Sequence, residues 1–336
     1  MEDLFGHRIS YLRVSITDRC NERCRYCMPE EVQEWLPRGD VLSYEEILRV
    51  VRVGVGLGIR KVRVTGGEPL TRRDVLGFME ALGRVEGLEE IGLSTNGTLL
   101  GAECPGDERR TYAEALKAAG VGSLNLSLDT LDGEAYEATT GRDYLSRVLE
   151  GIEAAKGAGF DSVKVNMVLM RGTNEGELLD MVEFAHERGL LLRFIELMPV
   201  STTHVLTEEN FLSAGEARAR VEDRFGELEA DPAFRTNGPA VYYRVPGREQ
   251  RIGFIGAMTN LHFCESCNKL RLTCDGKLRP CLGSHLEFDM KAVLRAAGST
   301  DEEVARFFRE VVERKPKEHE FRENYQPGRR MVAIGG

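Results

Sequence analysis

From residue 11 to about residue 225 the chain alternates short apolar-rich stretches with stretches of helical period, which predicts strands at 11–17, 60–65, 89–95, 123–129, 162–169 and 190–197. Helical patterns such as 44–57 and 178–188 lie between them. The first opens on Ser43 with Glu46 three residues on, a pairing in which serine oxygen and glutamate carboxylate satisfy free backbone N–H groups. Repeated strand–helix order implies an α/β fold with parallel strands and right-handed crossovers. Six units fit a partial (βα)6 TIM-type barrel better than the full eight.

Within the strands, apolar and polar positions alternate. Leu12, Val14 and Ile16 are set against Arg13, Ser15 and Thr17; Val62 and Val64 against Lys61, Arg63 and Thr65. Further along, Leu124, Leu126 and Leu128 oppose Asn125, Ser127 and Asp129, and Val163 and Val165 oppose Lys164 and Asn166. Parallel strands covered on both faces usually read as continuous apolar runs. One face here meets helices and the other meets something polar, either solvent or, as an open barrel explains better, a polar ligand in the lumen. Lys61 and Arg193 are further lumen candidates by strand placement.

Past residue 225 the rhythm breaks. Asp231-Pro232 and Asn237-Gly238-Pro239 mark turns, which puts a boundary near residue 230. The expected division is a core barrel over 1–230 and a smaller α+β region over 231–336. Short strands are expected at 241–245 and 252–256, and helices near Asp289 and at Thr300, whose Glu303 completes a second capping pair.

A chain of 336 residues suits two such units, and no apolar run approaches the ~18 residues of a membrane span. The start, Met1-Glu2-Asp3-Leu4, lacks the basic and apolar regions of a signal peptide, so a cytoplasmic protein is expected. Its formal charge of −10 disfavours a nucleic-acid coating role and leaves phosphate binding to a local basic site. Eight cysteines without export point to metal or redox chemistry rather than disulfides.

Cys20-x3-Cys24-x2-Cys27 directly follows the first strand. Three thiolates in one loop can hold three irons of a four-iron cluster and leave the fourth open, whereas structural zinc normally takes four protein ligands. Gly66-Gly67-Glu68-Pro69 ends the second strand, where glycines permit close backbone approach to a ligand. Gly54, Gly56 and Gly58 lack nucleotide-loop spacing and read as helix termination. Cys264-x2-Cys267-x13-Cys281 is a second triplet. A zinc ribbon completed by Cys274 or His262 is its rival reading, but beside the first triplet a second four-iron cluster is favoured. Between its cysteines lies Asn268-Lys269-Leu270-Arg271, whose two cations suit an anionic substrate.

The first triplet, with Tyr26 before its last cysteine, resembles the signature of the radical S-adenosylmethionine (SAM) family. The resemblance implies that Cys20, Cys24 and Cys27 bind a [4Fe-4S] cluster, that SAM chelates the open iron, and that reduction yields a 5′-deoxyadenosyl radical. The double triplet with Gly335-Gly336 at the end resembles, over nearly the whole chain, the branch of that family that cyclises GTP in molybdenum cofactor biosynthesis. That branch implies hydrogen abstraction from ribose C3′ and attack on guanine C8, giving 3′,8-cyclo-7,8-dihydro-GTP. Cys264, Cys267 and Cys281 would hold a second [4Fe-4S] cluster whose open iron binds guanine. Carried over by position, Arg13, Arg63, Ser94, Lys164, Lys269, Leu270 and Arg271 match GTP contacts, and Tyr26, Gly67, Ser127 and Met198 match SAM contacts. By the same resemblance the Gly335-Gly336 tail enters the active site and supports catalysis.

Two departures stand out: Lys269 where the branch often has arginine, and Ser94 in place of threonine. Cys274 and Cys104 fall outside the pattern and read as incidental, with 103–110 a loop insertion. Implied partners are GTP, an electron donor and a downstream cyclic pyranopterin monophosphate synthase, with no nucleic acid and no membrane, in a monomer or homodimer. The alternatives are a two-cluster radical SAM enzyme acting on a peptide, and a zinc-stabilised nucleic-acid binder.

Overall fold

The computed structural model describes residues 1–28, 34–323 and 325–335. Its first half lays down β1 (Tyr11–Ser15), β2 (Lys61–Thr65) and β3 (Glu90–Thr95). A hairpin of β4 (Glu103–Cys104) and β5 (Asp107–Thr111) follows, then β6 (Val121–Ser127), β7 (Ser162–Leu169) and β8 (Leu191–Glu196). The remainder contributes β9 (Glu229–Ala230), β10 (Val241–Arg244), β11 (Arg251–Ile255), β12 (Lys269–Leu272), β13 (Lys277–Arg279) and β14 (Phe288–Asp289). All but the hairpin join one sheet in the order β14-β13-β12-β1-β2-β3-β6-β7-β8-β11-β10-β9.

The six strands expected before residue 225 are present and pair in parallel, with helices crossing between them. The helix Tyr44–Gly56 starts on the Ser43–Glu46 capping pair and buries Ile47, Leu48, Val50 and Val51. It stops where Gly58 turns to φ +102°, a conformation glycine adopts without strain. Thr300 and Glu303 cap the helix Asp301–Glu313 in the same way. Leu12, Val14, Val62, Val64, Leu124, Leu126 and Val165 are nearly inaccessible, so the apolar face of each strand meets the helices. Each such side chain contributes about 1.5–3 kcal/mol through removal from water.

The sheet does not break at residue 230. β11 pairs in parallel with β8 (Ile252↔Leu192), and β12 with β1 (Leu12↔Leu270). The six-strand core would otherwise expose unpaired N–H and C=O groups along both edges, and the C-terminal strands satisfy them. Residues 103–110, expected as a loop insertion, include most of the β4–β5 hairpin instead. Pro105 and Gly106 make its turn, with Gly106 at φ +86°. Among the described residues no helix is long and apolar enough to cross a membrane.

One carboxylate joins the two regions. Glu196, at the end of β8, is wholly buried and accepts from the N–H groups of Ala214 (2.9 Å), Met258 (2.7 Å) and Thr259 (3.1 Å) and from the Thr259 hydroxyl. Removing it strands several buried donors at about 1–3 kcal/mol each. Glu196→Ala is therefore expected to lower unfolding free energy by about 3–5 kcal/mol in urea titration.

Candidate functional site

The polar face of the sheet lines one cavity of about 360 Å³, within the range of small-molecule sites. Side chains of β1, β2, β3, β6, β7, β8, β11 and β12 all reach it. Cys20, Cys24 and Cys27 lie on its wall, as do Cys264, Cys267 and Cys281; Cys104 and Cys274 do not. The triplets, separated by more than two hundred residues, thus share one chamber.

The first cysteine loop is held by the Gly66-Gly67-Glu68 segment. Gly67 N–H donates to Thr17 O (2.7 Å) and Glu68 N–H to Arg19 O (2.8 Å). A Cβ on Gly67 would stand 2.3 Å from Arg19 O, so the glycine is needed to bring the two backbones together. Glu68 is buried and accepts from Thr95 Oγ1 (2.8 Å), Asn96 N (2.8 Å) and Leu70 N (3.0 Å). Tyr26 donates its hydroxyl to Asp129 (2.7 Å), whose other oxygen accepts from Val168 N (2.8 Å). Tyr26, Gly67, Ser127 and Met198 all line the chamber.

Its other feature is a row of cations. Arg271, Arg13 and Arg63 stand side by side in the register of β12, β1 and β2. Gly92 is the next register position on β3, and a Cβ there would meet the Arg63 guanidinium at 2.4 Å, so glycine makes room for it. Arg63 spends its donors on Tyr11 Oη (2.7 Å), Leu93 O (2.9 Å) and Ser123 Oγ (2.8 Å), which makes it a brace as much as a binding group. Lys164, Arg193 and Lys269 also face the cavity, together with Ser94. Burial and then neighbouring Arg13 pull Arg271 down to about 9; burial, with Arg63 among the opposing charges, lowers Arg193 to about 10. Crowded, desolvated cations of one sign favour an anionic ligand. Leu270 alternates to the other face and is buried in the apolar core, so its side chain does not line the chamber. Lys61 lies outside the cavity wall, bonded to Asn237 and 3.4 Å from Glu90.

The Lys164 ammonium makes no hydrogen bond to another described residue, and burial, then Arg193 and Arg63, lower it to about 7. The side chain gains its charge as pH falls through that value. Affinity for a triphosphate is expected to weaken roughly tenfold between pH 6 and pH 8, about 1.4 kcal/mol. Lys164→Met should remove most of that difference in calorimetric titrations.

The donor set suits metal clusters. Burial, with Glu68 and Glu22 adding negative charge, pushes the Cys20 thiol far up, and burial holds Cys27 at about 12. Such sulfurs ionise when a metal supplies the compensating charge. Among the described residues no group of three or more His, Cys, Asp or Glu side chains is placed to hold a single metal ion. A four-iron cluster instead takes each thiolate on a different iron, so its ligands need not converge on one point.

The tail runs into the same region. The short helix Met331–Ile334 brings Met331 and Val332 to the chamber wall. Val332 N–H reaches the Cys27 sulfur, and Gly335 O accepts from Arg271 (2.8 Å). Arg329 anchors the tail's base on Asp275 and reaches Glu287 at 3.5 Å. Gly336 lies outside the described residues.

Residues 14–185 match the model of the radical SAM superfamily and 190–321 that of Molybdenum Cofactor Synthesis C. GTP 3′,8-cyclases of Thermodesulfovibrio yellowstonii (44% identical over 337 residues) and Moorella thermoacetica (45% over 336) align over the full length of both chains. The chain belongs to the GTP 3′,8-cyclase family. Fold likeness reaches further: Streptococcus suis SuiB superposes with a TM-score of 0.61 at 14% identity, over 85% of this chain and 64% of that one. The protein anSMEcpe with bound AdoMet gives 0.56 at 18%, over 93% and 82%.

Several groups around this GTP 3′,8-cyclase-family chamber were not legible in the sequence. Glu22 sits inside the first cysteine motif, bonded to the Tyr136 hydroxyl and 3.7 Å from the Cys24 sulfur; burial raises it to about 7. Asn96 and His319 line the wall as well, and Lys315 is buried behind the second triplet. Isolated polar residues in loops look like solvated ones until the fold encloses them. The acid within Cys20-x3-Cys24 was the one available signal.

Proposed function

We propose that this chain is a radical SAM lyase that converts GTP to 3′,8-cyclo-7,8-dihydro-GTP in molybdenum cofactor biosynthesis. The observation that carries the reading is the sharing of one chamber by both cysteine triplets and a row of cations. Cys20, Cys24 and Cys27 would hold one [4Fe-4S] cluster, and Cys264, Cys267 and Cys281 the other. With SAM bound, the first cluster supplies a 5′-deoxyadenosyl radical for hydrogen abstraction from the ribose.

The chain's own residues bind and orient. Arg13, Arg271, Lys269, Lys164 and Arg193 take the negative charge of GTP, while Arg63 braces the row and Ser94 offers a hydroxyl. Lys269 contributes a point charge where arginine would give a fork. Tyr26, Gly67, Ser127 and Met198 form the SAM wall, with Asp129 fixing the Tyr26 hydroxyl. The sheet wrapped around this chamber forms a partial barrel over 1–230, and 231–336 closes it and keeps water from the radical. Cytoplasmic location, an electron donor, hand-over to cyclic pyranopterin monophosphate synthase and a monomeric or homodimeric state complete the proposal.

Anaerobically prepared protein should carry about eight irons per chain. With GTP, SAM and a reductant it should form 5′-deoxyadenosine and the cyclised nucleotide together. Colourless protein holding stoichiometric zinc, or 5′-deoxyadenosine formation indifferent to GTP, would defeat the proposal.

A further inference from the structure

Lys315 follows the helix Asp301–Glu313 and is only 4% exposed. Among the described residues it forms no ion pair with a carboxylate, although burying an unpaired ammonium costs several kcal/mol. Its Nζ donates to Lys269 O (3.1 Å) and to Pro280 O. Those carbonyls flank the second triplet, one two residues after Cys267 and the other immediately before Cys281. The sulfur of Cys267 lies within its hydrogen-bonding reach, and its charge acts on Cys264 and Cys281 too. Three sulfurs therefore lie within the electrostatic reach of a cation that has no carboxylate partner.

We propose that Lys315 is a positioning residue of the second cluster: its buried ammonium staples the Cys267 and Cys281 limbs through two backbone carbonyls and supplies the positive charge facing the cluster's thiolates. This rests on the reading of the second triplet as a cluster site. A cation beside the cluster stabilises the form with one more electron, so it raises the cluster's reduction potential. Through Lys269 O the same ammonium also fixes the start of β12, from which Lys269 and Arg271 reach the chamber.

The test is an EPR-monitored redox titration of the full chain with Cys20, Cys24 and Cys27 replaced by alanine, so that the second cluster alone gives the signal. Into this background go K315M and K315Q, which remove the charge, and K315R, which keeps it. The expected result is about four irons per chain in the parent, a midpoint potential displaced to more negative values in both neutral variants, and one close to the parent's in K315R. Loss of the cluster from the neutral variants with retention in K315R also supports the role of the charge. A parent that binds no cluster overturns the two-cluster reading and this inference with it. A parent with its cluster and an unchanged potential in either neutral variant overturns the inference alone, as does loss of the cluster from all three variants.

Discussion

Cys24→Ala is expected to reduce 5′-deoxyadenosine formation to background while leaving a folded protein with about four irons, those of the proposed second cluster. The sulfur sits against Glu22 at 3.7 Å within the first cysteine loop. That loop is held from outside by Gly67 N–H on Thr17 O and Glu68 N–H on Arg19 O, so the scaffold survives loss of one thiol. The proposed cluster would not, because two thiolates leave two of four irons without protein ligands. Removing a group that only hydrogen-bonds a metal ligand costs about 10–100-fold, so deleting the ligand should exceed about 100-fold. Cys104→Ala is the matched control: its thiol is buried in the β4–β5 hairpin, away from the chamber, and the variant should turn over normally. SAM cleavage surviving in Cys24→Ala would contradict the assignment of the first triplet.

The parts of this molecule readable from sequence were those with a local cause. Leu12, Val14, Val62 and Val64 alternate with cations because the pleat sends neighbours to opposite faces, and that period is written into a few consecutive residues. Ser43–Glu46 and Thr300–Glu303 act within one helical turn and are present as expected. Pro105-Gly106 carried a turn signal that, given more weight, would have shown the hairpin. What depends on distant partners was hidden. Lys269–Leu272 alternates over four residues, too few to announce a strand, and becomes one by pairing with the free edge of β1. Arg63 reads as a ligand contact, yet Tyr11, Leu93 and Ser123 come from three other strands to occupy its donors. Leu270 fell within a binding segment by position, and the pleat puts its side chain in the core. The placement of acids and cations around the chamber is likewise a tertiary property: Glu22 and the buried Glu68 stand by the first cysteine loop, while Arg13, Arg63 and Arg271 line up across β1, β2 and β12.

Gly335→Ala is expected to lower cyclisation by about 100-fold with iron content unchanged, the scale of loss that a misplacement of about 1 Å produces. Gly335 holds φ at +84°, which costs a side-chain-bearing residue about 1–2 kcal/mol. Its missing Cβ would also stand 2.8 Å from both Ser15 Cβ and Thr65 Cγ2, atoms fixed in β1 and β2. The strands cannot yield without disturbing Arg13 and Arg63, so the tail must withdraw. Withdrawal takes the Gly335 carbonyl from Arg271 and loosens Val332 from the Cys27 sulfur, so one methyl group reaches the cation row and the first cysteine loop together. Gly328→Ala separates this from any general sensitivity of the tail, since nothing lies within 4 Å of the added carbon there. Both variants should bind the same iron, and only Gly335→Ala should lose the cyclised product in chromatographic assay. Equal turnover in the two would mean that contact between the tail and Arg271 plays no part in the chemistry.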